Sequence, residues 1–208
     1  YQAIFNIIQA QRKLAMIDVS NIDYSVLDRP EVLQAIFHPR PDNSLEPNKD
    51  SREIFIPVED GHSVGSKFHM CDKKYPNILY FHGNGEIVSD FDDLGEVFNR
   101  FELNFLPVDY RGYGRSSGNP TVTAMMRDCH YIFDFVRNWL SKNSYTAPLL
   151  VMGRSLGNAC ALELACNYQD FIQGLIVESG FAHATYLLEL LGIDTQAIGF
   201  RDEKGFRN

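Results

Sequence analysis

Residues Gly153-Arg154-Ser155-Leu156-Gly157 follow the apolar run Pro148-Leu149-Leu150-Val151-Met152 and precede the small-residue stretch Asn158-Ala159-Cys160-Ala161. An apolar run, a Gly-x-Ser-x-Gly turn and a helix former together spell a strand that turns at once into a helix, an elbow with serine at its corner. The corner residue of such a turn is strained, and side chains two positions either side would meet neighbouring backbone. Glycine at 153 and 157 removes both collisions. The Ser155 hydroxyl then stands at the strand end, in front of the free amides that begin the helix. With Gly and Ser each near 7% of residues, the pentapeptide arises in about one chain in fifteen of this length. Its surroundings therefore have to decide what it is.

Those surroundings alternate between strand and helix patterns. Glu53 to Val58 and Val64 to Met70 read as two strands joined by a turn at Glu59-Asp60-Gly61-His62. Asn77 to Phe81 is a buried strand ending in His82-Gly83-Asn84-Gly85-Glu86, followed by a helix from about Ser89 to Phe101. Leu103 to Val108 is the next strand, and a helix runs from about Thr121 to Lys142 with Met125, Ile132, Phe133, Val136 and Leu140 on one side. After the elbow come a helix to Tyr168 and a strand over Leu175 to Glu178. Continuously apolar strands alternating with helices predict an α/β fold, a mostly parallel sheet with helices on both faces. Ahead of it, Ile4, Ile7, Ile8 and Leu14 give a short amphipathic helix pattern. A second helix begins near Pro30, and residues 38 to 51 form a loop with Pro39, Pro41 and Pro47. The predicted division is an N-terminal helical extension and linker over residues 1–52 and a core over residues 53–208.

Composition excludes several classes. At 208 residues with 45% hydrophobic and 22% charged residues, the chain can bury a sizeable core and is not compositionally disordered. A net charge of −8 without any Lys/Arg cluster argues against a nucleic-acid partner. No apolar run reaches the roughly 20 residues of a membrane span. Cys71, Cys129, Cys160 and Cys166 lack metal-site or thioredoxin spacing and read as reduced, mostly buried thiols, which favours a reducing, cytoplasmic setting. The chain starts at Tyr1 instead of Met, so a lost targeting peptide stays open.

In a sheet of this kind ligands bind beyond the carboxyl ends of the strands. Three motifs lie there: the loop after Phe81, the loop after Val108 and the elbow. The second, Asp109-Tyr110-Arg111-Gly112-Tyr113-Gly114, also suggests a dinucleotide fingerprint. However, Gly112, Gly114 and Gly118 give G-x-G-x-x-x-G, one residue too long, and Pro120 separates them from the helix. Arg111 and Asp109 read instead as a pair that fixes the loop.

In order and spacing, the three motifs over residues 53 to 191 resemble the α/β-hydrolase family, specifically serine hydrolases of the Bem46-like or esterase and thioesterase type. The resemblance implies Ser155 as nucleophile, with the oxyanion received by the backbone amides of Asn84, or a neighbour, and of Leu156. Gly83 and Gly85 would let that backbone approach the substrate closely, and His82 would hold the loop. Arg154 would border the pocket mouth as a solvated side chain. The implied substrate is a carboxylic ester or thioester of a small molecule, with no metal or organic cofactor. Serine at the elbow argues against the branches that use a carboxylate nucleophile.

A serine nucleophile needs a histidine base oriented by an acid, in the chain order Ser, Asp or Glu, His. Within the sequence only His183 follows Ser155, and Glu178 and Asp194 are the nearby acids. Glu178 and His183 are weak candidates, because five residues separate them and the base must approach from across the pocket. Leu175-Ile176-Val177 would also form a bare apolar sheet edge, which proteins avoid. The expectation is a fold incomplete after its sixth strand, with acid and histidine beyond residue 208 and little turnover by residues 1–208 alone. The competing expectation is a catalytically silent binding module of the same fold.

Overall fold

The computed structural model of the chain describes residues 18–43, 51–181 and 183–201. The helix expected over residues 1 to 14 lies outside them, as does part of the loop 38–51. Six strands are present among the described residues: β1 (Arg52–Pro57), β2 (Ser63–Phe68), β3 (Asn77–Phe81), β4 (Asn104–Val108), β5 (Leu149–Arg154) and β6 (Gly174–Glu178). They form one sheet in the order β1-β2-β4-β3-β5-β6. The opening hairpin β1–β2 is antiparallel and meets β4 antiparallel; β4, β3, β5 and β6 are mutually parallel. This is the mostly parallel sheet that the apolar runs predict.

Side-chain alternation divides the sheet between two cores. Leu79 and Phe81 of β3, Leu106 and Val108 of β4 and Leu149 and Val151 of β5 face one cluster. Ile78 and Tyr80 of β3 and Phe105 of β4 face the other, with Leu150 and Met152 packed beside them. Because strand side chains alternate in direction, a run apolar at every position must be covered twice. The smaller cluster is closed by Phe91, Leu94 and Phe98. The last two come from helix α2 (Asp92–Arg100), and a 3₁₀ turn over Val88–Phe91 leads into it. The larger face receives helix α1 (Pro30–Ile36), helix α3 (Val122–Lys142) and helix α4 (Asn158–Asn167). Helices α5 (Ala184–Leu190) and α6 (Thr195–Ile198) follow β6.

Pro30 occupies the first turn of α1, where its missing N–H would have had no partner. The segment around α1 is built into the larger core: Tyr24, Leu27, Val32, Ile36 and Phe37 are all buried in it. It is also tied by polar contacts. The Asp28 carboxylate accepts from the backbone N–H groups of Val122 and Thr123 at 2.8 and 3.2 Å, capping the start of α3 beside Thr121, whose hydroxyl accepts from Ala124 N–H.

At the far edge, Leu175, Ile176 and Val177 of β6 are 40%, 36% and 48% exposed, in contrast to β3 and β4, which are buried throughout. All four cysteines are free thiols. Cys129 and Cys160 are buried, but Cys71 and Cys166 are exposed, so only half fit the expectation of buried thiols. Cys71 lies in the loop after β2 and Cys166 at the outer end of α4, positions for which a sequence pattern sets no burial. No described helix is long and apolar enough to cross a membrane.

Candidate active site

The elbow is built as its glycines require. Strand β5 ends at Arg154, Ser155 opens a short 3₁₀ turn to Gly157, and α4 follows from Asn158. Ser155 has φ +47°, a left-handed conformation rare for a residue with a side chain. A Cβ at Gly153 would lie 2.6 Å from the Gly157 carbonyl oxygen, and one at Gly157 only 2.1 Å from that of Phe81. Both clashes are with backbone. Glycine at 157 is thus what brings the elbow against the end of β3. Asn158 secures the turn from below: its amide Nδ2 donates to the carbonyls of Ser155 at 3.0 Å and Glu178 at 2.8 Å.

The loop after β3 lies alongside. A Cβ at Gly83 would be 3.6 Å from the Ser155 Cβ, which sets the two segments in contact. Gly83 N–H donates to Glu86 Oε2 at 2.7 Å and is therefore occupied, whereas the next amide, that of Asn84, has no partner among the described residues. Leu156 N–H belongs to the first turn after the strand, where amides lack intrahelical acceptors. Gly85 takes φ +76° to turn the loop.

His82 is fully buried beneath this loop and holds it. Its Nδ1 meets the Gly83 carbonyl oxygen at 2.8 Å, its Nε2 meets Asp109 Oδ1 at 3.1 Å, and its own carbonyl accepts from the Tyr110 hydroxyl at 2.7 Å. Asp109 Oδ1 also accepts from Val88 N–H at 2.9 Å, so one carboxyl joins both ends of the loop. Burial raises the Asp109 carboxyl above its ordinary value, with the His82 hydrogen bond opposing. The expected pairing of Arg111 with Asp109 is not what forms. Arg111 turns to α3, where Nε and Nη2 each donate to Asp128 at 2.7 Å. A planar guanidinium satisfies two carboxylate oxygens at once, and Asp128 offers both in a buried position while Asp109 already holds His82. Both residues fix their loops, through different partners.

Arg154 is 43% exposed and pairs with Glu86 at 2.9 Å and Glu178 at 3.6 Å, one cation between the loop after β3 and the end of β6. His183 stands at the N-terminus of α5, and neither it nor Glu178 is among the residues lining the cavity beside Ser155.

That cavity has a volume of about 190 Å³. Ser155, Asn84 and His38 are its polar lining residues, and Leu27, Ile36, Met125, Met126, Leu156, Ala159 and Leu188 are among its apolar walls. Sequence reasoning missed His38 and the wall supplied by α1. His38 is 46 residues from Asn84 in the chain, yet its backbone N–H donates to Asn84 Oδ1 at 2.8 Å. The Tyr113 hydroxyl donates to the same oxygen at 2.8 Å. Two donors on Oδ1 orient the Asn84 amide, so that Nδ2 donates to His38 Nδ1 at 2.7 Å. The network thereby assigns the His38 proton to Nε2. No periodicity in the sequence signals such a contact.

Comparison with known proteins agrees with this geometry. A family model described as serine aminopeptidase, S33 (Hydrolase_4) matches residues 73–191, more than half of the chain. Lysophosphatidylserine lipase ABHD12 of Xenopus tropicalis is 34% identical over 119 residues, which are 55% of this chain and 30% of that protein. Protein bem46 of Schizosaccharomyces pombe is 31% identical over 109 residues, 51% of this chain and 35% of that one. The chain thus spans about a third of the length of these relatives. Among solved structures, the Pyrococcus furiosus esterase Pf2001 superposes with a TM-score of 0.52 at 19% identity, covering 66% of this chain and 56% of its own. The Cif epoxide hydrolase of Acinetobacter nosocomialis gives 0.54 at 17%, covering 68% and 42%. Such low identities speak for the fold alone. The parallel sheet, the strained serine elbow against the end of β3 and the matched family model together establish that the chain belongs to the α/β-hydrolase family of serine hydrolases described as serine aminopeptidase, S33.

Proposed function

We propose that the protein hydrolyses a carboxylic ester or thioester through an acyl-enzyme on Ser155. The observation that carries this reading is Ser155 at φ +47° on a largely apolar cavity that Asn84 and His38 also line. In the proposed reaction, Ser155 Oγ attacks the substrate carbonyl and its proton passes to a base. The developing oxyanion is received by the amides of Asn84 and Leu156; its collapse breaks the carbonyl C–O or C–S bond and expels the alcohol or thiol, which takes the proton from the base. Water then cleaves the acyl-enzyme, releasing the acid and restoring Ser155. Donors placed where charge develops contribute about 3 to 4 kcal/mol each to the transition state. The acyl chain occupies the apolar cavity, which favours uncharged, aliphatic acyl groups. Relatives named as lipases are in keeping with such a substrate.

Base and acid are proposed to come from outside residues 1–208. The in-chain candidates, Glu178 as acid and His183 as base, do not line the cavity beside Ser155, and His38, which does, accepts from Asn84 at Nδ1. The same observation favours a second reading, a binding module of the same fold without turnover. Four free thiols support a reducing compartment such as the cytoplasm. Labelling of the full-length protein with a fluorophosphonate separates the two functional readings. The expected result is covalent labelling that Ser155→Ala abolishes. Labelling that survives the substitution refutes Ser155 as nucleophile, and no labelling of the native protein favours the silent module.

A further inference from the structure

The stretch His38-Pro39-Arg40-Pro41-Asp42 is bonded through His38, Arg40 and Asp42 to the loop that carries Asn84 and to the 3₁₀ turn that follows it. His38 engages Asn84 through both its backbone N–H and its ring. Arg40 Nε donates to the Gly85 carbonyl at 2.8 Å, and the same guanidinium pairs with Asp90. Asp42 accepts from the Ser89 hydroxyl at 2.5 Å. The other side of the stretch is pinned to the loop after β4. Gly114 N–H donates to the Arg40 carbonyl at 2.9 Å, and Asp42 N–H donates to the Gly114 carbonyl at 3.1 Å. Pro41 and Gly114 form an isolated parallel bridge. The stretch continues directly from α1, whose Ala35 and Ile36 line the cavity.

Buried His82 holds the base of this loop, but its Asn84-Gly85 tip is fixed by polar contacts. Gly85, at φ +76°, is open around its Cβ position, with nothing within 4 Å. Its carbonyl is set by Arg40, and the side chain of the neighbouring Asn84 is set by His38 together with Tyr113. We propose that residues 38–42 form a strap that positions the Asn84 amide, with Arg40 and His38 as positioning residues of the oxyanion site. This proposal rests on the Ser155 reading for its catalytic consequence, although not for its effect on the loop. The strap touches the loop and not the substrate carbonyl, so loosening it acts on the transition state more than on substrate binding. Misplacement by 1 Å in such a site costs roughly a hundredfold in rate.

The test uses the full-length protein with Arg40→Ala and Arg40→Lys, p-nitrophenyl butyrate as substrate and amide hydrogen exchange as an independent readout. Arg40 and Asp90 are 44% and 37% exposed, so the lost ion pair contributes little to stability and both variants are expected to fold. For Arg40→Ala we expect exchange of the hydrogen-bonded amides at 86–88 to quicken at least tenfold, and kcat to fall about tenfold or more with KM changed less than threefold. Arg40→Lys keeps a cation near Asp90 but lacks the rigid fork that reaches Gly85 as well, and should recover part of both losses. Unchanged exchange over residues 83–90 overturns the strap itself. Faster exchange with unchanged kcat overturns its role in the oxyanion site. A kcat loss accompanied by a melting-temperature loss of 10 °C or more, with no recovery in Arg40→Lys, reduces the strap to a folding element and overturns the positioning role. Butyrate hydrolysis that persists in Ser155→Ala refutes the nucleophile reading instead, and leaves the exchange result to judge the strap.

Discussion

Gly157→Ala isolates the contact on which the elbow depends. Gly157 has φ −64° and ψ −16°, angles any residue adopts, so alanine adds no backbone strain and its effect is steric alone. The added methyl group would lie 2.1 Å from the Phe81 carbonyl oxygen, 2.5 Å from its carbon and 2.8 Å from the His82 oxygen. All three are backbone atoms, and Phe81 is held in register with Val108 on one side and Gly153 on the other. Relief therefore requires the elbow and the end of β3 to part by roughly 1 Å against two ladders. Overpacking of this kind costs typically about 1 to 3 kcal/mol, and a clash with backbone on all sides belongs at the top of that range. A loss of about 3 kcal/mol lowers Tm by roughly 6 to 12 °C in a protein of this size. The parting also separates Ser155 from the loop bearing Asn84, so fluorophosphonate labelling should slow by about a hundredfold. Urea denaturation and labelling rates on the full-length protein measure both. The internal control is Gly61→Ala, where φ is +73° but nothing lies within 4 Å, so that only the left-handed conformation is penalised, at about 1 to 2 kcal/mol. Should Gly157→Ala cost no more than Gly61→Ala, with the labelling rate retained, the close approach of the elbow to β3 is not what organises the site.

Asp128→Ala leaves the Arg111 guanidinium buried without its two hydrogen bonds, and should destabilise by about 3 kcal/mol or more in urea denaturation; a loss under 1 kcal/mol contradicts the assignment. Burial raises the Asp109 carboxyl above 3.8, so the folded state binds that proton more tightly than the unfolded chain. Its contribution to stability is accordingly greatest below pH 3.8 and is lost as pH rises through the folded value; Asp109→Asn should remove that slope from urea midpoints measured between pH 4 and 7, and an identical slope rejects it. Ala35→Phe places a ring on the cavity wall next to Ile36, and should lower kcat/KM for p-nitrophenyl octanoate at least tenfold relative to acetate, whereas an unchanged ratio means the acyl chain lies elsewhere.

The fold was legible in the sequence because its signals are local. Continuous apolar runs in Asn77–Phe81 and Asn104–Val108 require cover on both faces, and Gly-x-Ser-x-Gly at 153–157 requires a turn that only glycines can flank. Such constraints act between residues a few positions apart. The partner choices were not legible. Arg111 prefers Asp128 to its near neighbour Asp109 because α3 presents a buried, unoccupied carboxylate, a fact created by packing. His82 and Asp109, 27 residues apart, meet only because β3 and β4 are adjacent in the sheet.

The sequence by itself determined the class of the sheet, the position of the serine corner and the loop that faces it. Pattern and steric exclusion are carried by the residues themselves. The tertiary structure alone decided that residues 38–42, which read as a linker, lie across the loop bearing Asn84, and that α1 walls the cavity beside Ser155. Those contacts join segments 45 residues and more apart. They form because the buried apolar side chains of the α1 segment bring it onto the sheet, and only then do His38 and Arg40 come within hydrogen-bonding reach of Asn84 and Gly85.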